Sequence, residues 1–440
     1  MPDLTIHTNI IDNKQINDNF FKRIFSIWDI VIAYILFVLC LYLFNKMYAV
    51  QVDQALHLDF MFNKMDINKM FLQITYNSFM QWLVYVFGLG NKTLMYQALP
   101  FVLSLAFVTK YFVIRWINTD FIRLYNLDFK NDGMLRLCAC LISFSFPIFT
   151  YIQLTISSWY RGLAPQCVWH NPTIVIVLPF ALALFWASFK FLTLKTFNSF
   201  ALTFILIILN FFLKPVFLMP FLPVFFFFFL FFEIDKNGSF SFSISKGKVL
   251  FCVIAAVPIL VVIYYLYNRL FGTFGIEISL FKGLSNHNNN YNFLPNIKFV
   301  MIRMFGITDA NLCYLFAFAA MAFFLRLFLM NAFYFSTLFT LKKKIVFLNL
   351  FAFLVWVLGL IIAISVYEID RPGKENFLWH FIACNNIILV IGSNNFICCC
   401  SDNMKSSKYV ISMVPFAFLF LQASCGFLYV LRIVLKGIWY

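Results

Sequence analysis

Apolar runs of nearly membrane-crossing length recur along this chain, and nothing else constrains its folding as much. Ile174–Leu192 and Phe351–Val366 are unbroken examples. Crossing about 30 Å of hydrocarbon takes roughly 20 consecutive apolar residues in a helix. With 63% hydrophobic and 12% charged residues, and a mean hydropathy of +0.87, a water-soluble domain of this length is excluded. Transmembrane barrels alternate in short segments, whereas these runs are continuous, so the backbone must be satisfied within helices. The expected fold is all-α, a polytopic transmembrane helical bundle.

About ten or eleven spans can be drawn, near 29–48, 93–114, 135–153, 174–192, 199–213, 216–232, 249–268, 306–329, 345–366, 377–394 and 411–434. Phe71–Gly90 is apolar on one side but carries Gln73, Asn77, Ser78 and Gln81. It suits a juxtamembrane or re-entrant helix better than a lipid-facing span. The expected organisation is a cytoplasmic tail (1–28) and a single transmembrane domain (29–440), with 49–92 as an outer loop.

Basic residues orient the bundle, because cytoplasmic loops are enriched in Lys and Arg. Arg115, Arg123, Lys130 and Arg136 are read as one loop, Lys190 and Lys195 as another, Lys236, Lys246 and Lys248 as a third, and Lys342–Lys344 as a fourth. All four are inside if Phe71–Gly90 does not cross. Arg269, Lys282, Lys298 and Arg303 then fall outside, so the bias is moderate. A net charge of +15 is accounted for by basic loops beside anionic lipid, with no nucleic-acid partner required. The first apolar run follows about 28 largely polar residues with no small-residue cleavage pattern after it, and is expected to be a retained anchor.

No catalytic cofactor is written into the chain. It has no Gly-rich phosphate loop, no Rossmann pattern and no defensible internal repeat. Of its 11 cysteines, most sit inside apolar runs, where cysteine acts as a small hydrophobe. None has the CxxC spacing of a metal site. Cys398-Cys399-Cys400 falls at the inner end of a span and is expected to be reduced, with palmitoylation or metal binding as the alternatives. A divalent metal stays compatible with the sequence. The abundance of Phe, including Phe225–Phe229, together with Asn, Ile and Lys, fits an AT-rich genome and carries no functional reading.

Function is sought in polar residues that the bilayer does not explain. Asp53 and His57 lie four residues apart just after the first span. His170, His287 and His380 join them on the outer side of this topology. Two outer segments carry groups suited to polyols or phosphate. One is Trp159-Tyr160-Arg161 with Gln166, Trp169, His170 and Asn171, and the other is the turn Glu368–Asn376 with Arg371 and Glu375. Lys214-Pro215, at the outer end of another run, adds a cation. The plainer reading of each is an interfacial anchor.

The order of these segments resembles the polytopic glycosyltransferases of the GT-C class, and more narrowly bacterial membrane proteins that look like them. The resemblance rests on Asp-x-x-x-His (Asp53 to His57), an aromatic juxtamembrane stretch (Tyr76 to Tyr85), Trp-His-Asn-Pro-Thr (Trp169–Thr173), Lys214-Pro215, and Arg371 followed by Glu-Asn-Phe-x-Trp (Glu375–Trp379). The most specific of these is Trp169–Thr173. The chain departs from the pattern in having Tyr76-Asn77 and Met80 where Tyr-Pro and then a histidine are expected, and it lacks an Asp–Asp or Asp–Glu motif.

The resemblance implies a multi-pass protein of a bacterial inner membrane whose partners are lipid and a lipid-linked sugar donor, a sugar on polyprenyl phosphate. Asp53 matches the carboxylate that serves as general base. His57, one helical turn on, would share the proton or orient the acceptor. Arg161, Lys214 and Arg371 would stabilise the leaving phosphate, and Trp169, His170, Asn171 and Glu375 would line the substrate site. The plain alternative for Asp53 and His57 is a solvated i,i+4 pair, and Asp59 and Asp66 are rival bases. A transporter or flippase, or a polysaccharide polymerase acting on lipid-linked glycans, fits the same architecture. Sugar, acceptor and protein partners are not specified.

Overall fold

The computed structural model describes residues 23–49, 78–146, 148, 172–214, 217–234, 240–250, 276–278, 327–339, 345–368, 378–403 and 409–436. Its helices are α1 (Ile27–Ala49), α2 (Ser78–Phe87), α3 (Lys92–Leu124), α4 (Asp132–Phe144), α5 (Pro172–Leu194), α6 (Phe197–Leu213), α7 (Leu218–Phe231), α8 (Ala332–Leu338), α9 (Val346–Ser365), α10 (Leu378–Asn403) and α11 (Tyr409–Lys436). Two short antiparallel ladders accompany them. In one, β1 (Phe232–Ile234) pairs with β2 (Phe240–Phe242), and in the other, β3 (Ile276–Ile278) pairs with β4 (Val366–Glu368). The protein is an all-α bundle. Five described helices, α1, α3, α5, α10 and α11, are long and apolar enough to cross a membrane, and α6, α7 and α9 are shorter apolar helices. The spans expected at 249–268 and 306–329 lie almost entirely outside the described residues.

Three boundaries differ from the sequence expectation. Helix α3 runs on to Leu124, so Arg115 and Arg123 are helical and not in a loop. Helix α4 stops at Phe144, short of the expected 153. Ser145 turns extended two residues before Pro147, in keeping with the aversion of pre-proline residues to helix. The backbone released there is held inside protein, since Phe146 N–H donates to the Gln422 carbonyl of α11 at 3.0 Å. Helix α10 extends to Asn403. Phe71–Asn77 of the expected juxtamembrane stretch lie outside the described residues, and helix α2 is described over Ser78–Phe87. It meets α3 through a tight turn in which Leu89 and Gly90 have φ of 50° and 68°. Asn91 then caps α3, its Oδ1 accepting from Thr93 N–H at 2.9 Å.

Ionic contacts fix the helices at one end, called here the basic end. Asp29, near the start of α1, is fully buried, as is Arg115 on α3. Asp29 Oδ1 accepts from Arg115 Nε and from the Tyr111 hydroxyl, each at 2.8 Å. Its Oδ2 accepts from Arg136 Nε of α4 at 3.2 Å and from the Ser26 hydroxyl. Ahead of α1, Arg23 reaches Asp132 Oδ1 and the Phe129 carbonyl, both at 2.6 Å. A second junction centres on buried Asp120 of α3, which takes Trp186 Nε1 at 2.9 Å and Lys190 Nζ at 2.8 Å, both from α5, and Arg123 at 2.6 Å. Several of the basic residues read as loop markers are thus partners of buried carboxylates.

Helix α10 is the bundle axis. It touches α3, α4, α5, α8, α9 and α11, and its membrane-length window is 100% buried, against 33% for α1. That position explains how a spanning helix can carry Asn385, Asn386, Ser393, Asn394 and Asn395, because none of them faces lipid. Asn349 of α9 and Asn395 exchange hydrogen bonds at 2.9 and 2.8 Å, and Asn395 also donates to Thr337 of α8. Asn385 Oδ1 accepts from Trp356 at 2.8 Å and from Asn331 at 3.2 Å. Ser393 donates to Asn118 of α3 at 2.8 Å. Around this axis the phenylalanines interdigitate. Phe351 of α9 stacks on Phe185 of α5 and meets Phe228 of α7 edge-on.

Replacing Asp29 by Asn leaves Arg115 and Arg136 without their buried counter-charge. We expect a loss of about 3–5 kcal/mol of stability, measured by thermal unfolding in nanodiscs. The double replacement Asp29→Leu with Arg115→Leu should recover part of it, since a buried ion pair exchanged for apolar packing is often neutral while the partly buried Arg136 still lacks its carboxylate.

Candidate functional site

At the end of the bundle opposite the ionic junctions, three of the segments singled out in the sequence converge. Pro172 opens α5, its fixed φ suiting the first helical position, and Thr173 directly follows it. Lys214 terminates α6 in extended conformation, its N–H still bonded to the Asn210 carbonyl. His380 lies in the first turn of α10. Lys214 Nζ donates to Thr173 Oγ1 at 2.8 Å. Helix α10 packs against α5, which carries Thr173, and His380 lies at the same end of the bundle. All three residues are at most 3% exposed. Thr173 and Lys190 lie roughly 25 Å apart along α5, which separates this cluster from the ionic junctions by most of a membrane thickness.

Close helix packing shapes the floor of the cluster. A Cβ on Gly359 of α9 would stand 2.7 Å from Cys384 Sγ of α10, so only glycine lets the two backbones approach this closely. His380 is one turn before Cys384 on the same helix face. Its Nε2 reaches the Gly359 carbonyl oxygen at 2.8 Å, while Nδ1 is buried with no partner among the described residues. Asn210, one turn before Lys214, ties α6 to α5 by donating to the Phe180 carbonyl at 3.1 Å.

Two further elements lie around this region. Helix α2 packs against α3 and touches α6. The β3–β4 ladder pairs Ile276 with Glu368, so the strand that follows α9 lies against Ile276–Ile278. A buried cationic side chain bonded to a hydroxyl, with an imidazole at the same end of the bundle, suits a phosphorylated or polyhydroxylated ligand, through charge-assisted and neutral hydrogen bonds together.

Of the candidate residues read from the sequence, Lys214 is described, and it is buried and hydrogen-bonded to a residue of the Trp169–Thr173 motif. Asp53, His57, Arg161, Trp169, His170, Asn171, Arg371 and Glu375 lie outside the described residues. His380, noted only as an outer-face histidine, joins Lys214 at the cluster. Thr173 had been part of a motif without a role of its own. Asp29, Arg115 and Asp120 carry the ionic end and were not singled out, although charged residues within apolar runs are the signal that could have found them. Among the described residues, no group of His, Cys, Asp and Glu is arranged to hold a metal ion. All but one of the described cysteines are buried, Cys398–Cys400 among them.

Elsewhere Lys248 and Lys195 lie 3.2 and 3.8 Å from exposed Glu233 of β1. The Lys248 hydrogen bond, with Lys195 adding its charge, holds the Glu233 carboxyl below the usual carboxylate range.

These features define a polytopic α-helical membrane protein with a buried polar cluster at one end of its bundle. Compared with family models, curated proteins and solved structures, the chain matches none of them.

Gly359→Ala should force α9 and α10 apart and lower stability by about 1–3 kcal/mol, the usual cost of overpacking. Adding Cys384→Ala removes the opposing sulfur and should restore most of the loss. Thermal unfolding of the single and double variants checks this.

Proposed function

We propose that the chain is a membrane glycosyltransferase of the GT-C type, transferring a sugar from a polyprenyl-phosphate donor to an acceptor at the outer face of a bacterial inner membrane. The observation that carries this reading is the placing of Thr173, Lys214 and His380 at one end of the bundle, with Lys214 hydrogen-bonded to Thr173. They come from three segments far apart in sequence, two of them within the resembling motifs and the third directly after the last one. Their burial at one end of the bundle suits a ligand that enters from the membrane face with a phosphate and a sugar.

The chemistry assigned to the site is a single displacement. The acceptor hydroxyl oxygen attacks the anomeric carbon, the bond from that carbon to the phosphate oxygen breaks, and the polyprenyl phosphate leaves with the electron pair. Asp53 takes the acceptor proton and His57 orients the acceptor. Lys214, with Arg161 and Arg371, stabilises the charge that gathers on the phosphate. Trp169, His170, Asn171 and Glu375 hold the sugar. A carboxylate beside hydrocarbon is a stronger base than one in water, which suits Asp53 to the task.

A second reading, a transporter or flippase for a lipid-linked glycan, is favoured by a different observation. The axial helix α10 is lined with buried amides, and α4 breaks at Ser145 in the protein interior, a combination found in transporters that bind polar cargo near the midplane. A polysaccharide polymerase would share the lipid-linked substrate of the first reading.

Purified protein in proteoliposomes, given radiolabelled polyprenyl-phosphate glucose and a membrane extract as acceptor, should release polyprenyl phosphate. Asp53→Asn should lower release by roughly 100-fold or more, the usual worth of a general base, and Lys214→Gln should weaken donor use. Unchanged release in both Asp53→Asn and His57→Ala, with normal insertion, would remove the catalytic loop. Movement of the lipid between leaflets without release would favour the transporter. Cysteine placed at position 170 should label from the outer side only.

A further inference from the structure

His380 has two ring nitrogens in different circumstances. A carbonyl oxygen can only accept, so the 2.8 Å contact with Gly359 makes Nε2 the N–H donor. The neutral ring then presents a bare lone pair at Nδ1. That atom is buried without a hydrogen-bond partner among the described residues, on a side chain 1% exposed. A buried acceptor left unmade is destabilising, and the bond to the Gly359 carbonyl fixes which nitrogen is bare. An acceptor so fixed calls for an O–H or N–H donor supplied by something other than the described chain. At the same end of the bundle Lys214 supplies a buried cation hydrogen-bonded to Thr173. Together they match a ligand that carries hydroxyl groups next to an anionic oxygen.

We infer that His380 is a substrate-binding residue whose Nδ1 accepts a hydrogen bond from a hydroxyl of the lipid-linked sugar, an assignment that rests on the glycosyl-transfer reading above. The interaction needs no change of protonation during the reaction. It distinguishes the sugar-bearing lipid from the bare polyprenyl phosphate, whereas Lys214 engages the phosphate common to both.

Two variants separate this role from a structural one. In His380→Gln the side-chain amide reaches the Nε2 position and keeps a donor for Gly359, but the Nδ1 acceptor is gone. In His380→Asn the carbonyl oxygen stands near the Nδ1 position and the Gly359 bond is lost. Affinities of the full-length protein in nanodiscs are measured for polyprenyl-phosphate glucose and for bare polyprenyl phosphate. Wild type should prefer the sugar-bearing lipid. His380→Gln should lose roughly tenfold in affinity for it with binding of the bare lipid unchanged, and His380→Asn should stay within about threefold of wild type. A structural histidine gives the reverse order, with Gln harmless and Asn damaging. That result, or equal loss for both lipids in His380→Gln, overturns the assignment and leaves the glycosyl-transfer reading standing. Wild-type protein that binds neither lipid overturns the reading and the role of His380 with it.

Discussion

The buried contact between Asp29 and Arg115 is the constraint on which the arrangement of the first helices depends. A carboxylate and a guanidinium, both withdrawn from solvent at the end of a membrane bundle, are tolerable only when each finds further partners. Asp29 has Arg136, Ser26 and Tyr111 as well as Arg115, and Arg115 also donates to the Arg23 carbonyl at 2.8 Å. These bonds tie α1 to α3 and α4 in one register. Without them α1, mostly exposed to its surroundings, would have only van der Waals packing against α3, and lipid offers that equally well. Asp120 repeats the device one helix further on, fixing α5 through Trp186 and Lys190.

With those registers set, α10 has a place in which its asparagines are tolerable. A helix carrying so many amides could not face hydrocarbon, and in the axial position every side of it meets protein. Its bonds to Asn349, Asn331, Trp356 and Asn118 are individually modest, about 0.6 kcal/mol on average for polar contacts between membrane helices. Their directionality matters more, because each is satisfied in only one alignment of α8, α9 and α3 against α10. Gly359 acts in the same sense by setting how closely α9 and α10 approach, which in turn puts a carbonyl within reach of His380.

The cluster of Thr173, Lys214 and His380 is a consequence of the same geometry. Helices α5 and α6 form an antiparallel pair whose far end carries Thr173 and Lys214, and α10 begins at that level. A reading as a lipid-dependent transferase draws together the cation, the hydroxyl and the imidazole. The basic end, by contrast, spends its charges on one another and is most simply structural.

Much was legible in the residues themselves. The length and continuity of apolar runs such as Ile174–Leu192 dictate transmembrane helices, because unpaired backbone is not tolerated in hydrocarbon. The Trp169–Thr173 and Lys214-Pro215 motifs point to the cluster from the sequence. Less legible were the early end of α4 before Pro147, the continuation of α3 past Arg115, and the pairing of Arg115 with Asp29, 86 residues away. By itself the sequence determined the class of fold, since local hydrophobicity alone decides which segments enter a bilayer. Only the tertiary structure decided which charges neutralise one another, which helix is axial, and that His380 bonds Gly359 through one ring nitrogen and keeps the other bare, because those facts depend on neighbours distant in the chain.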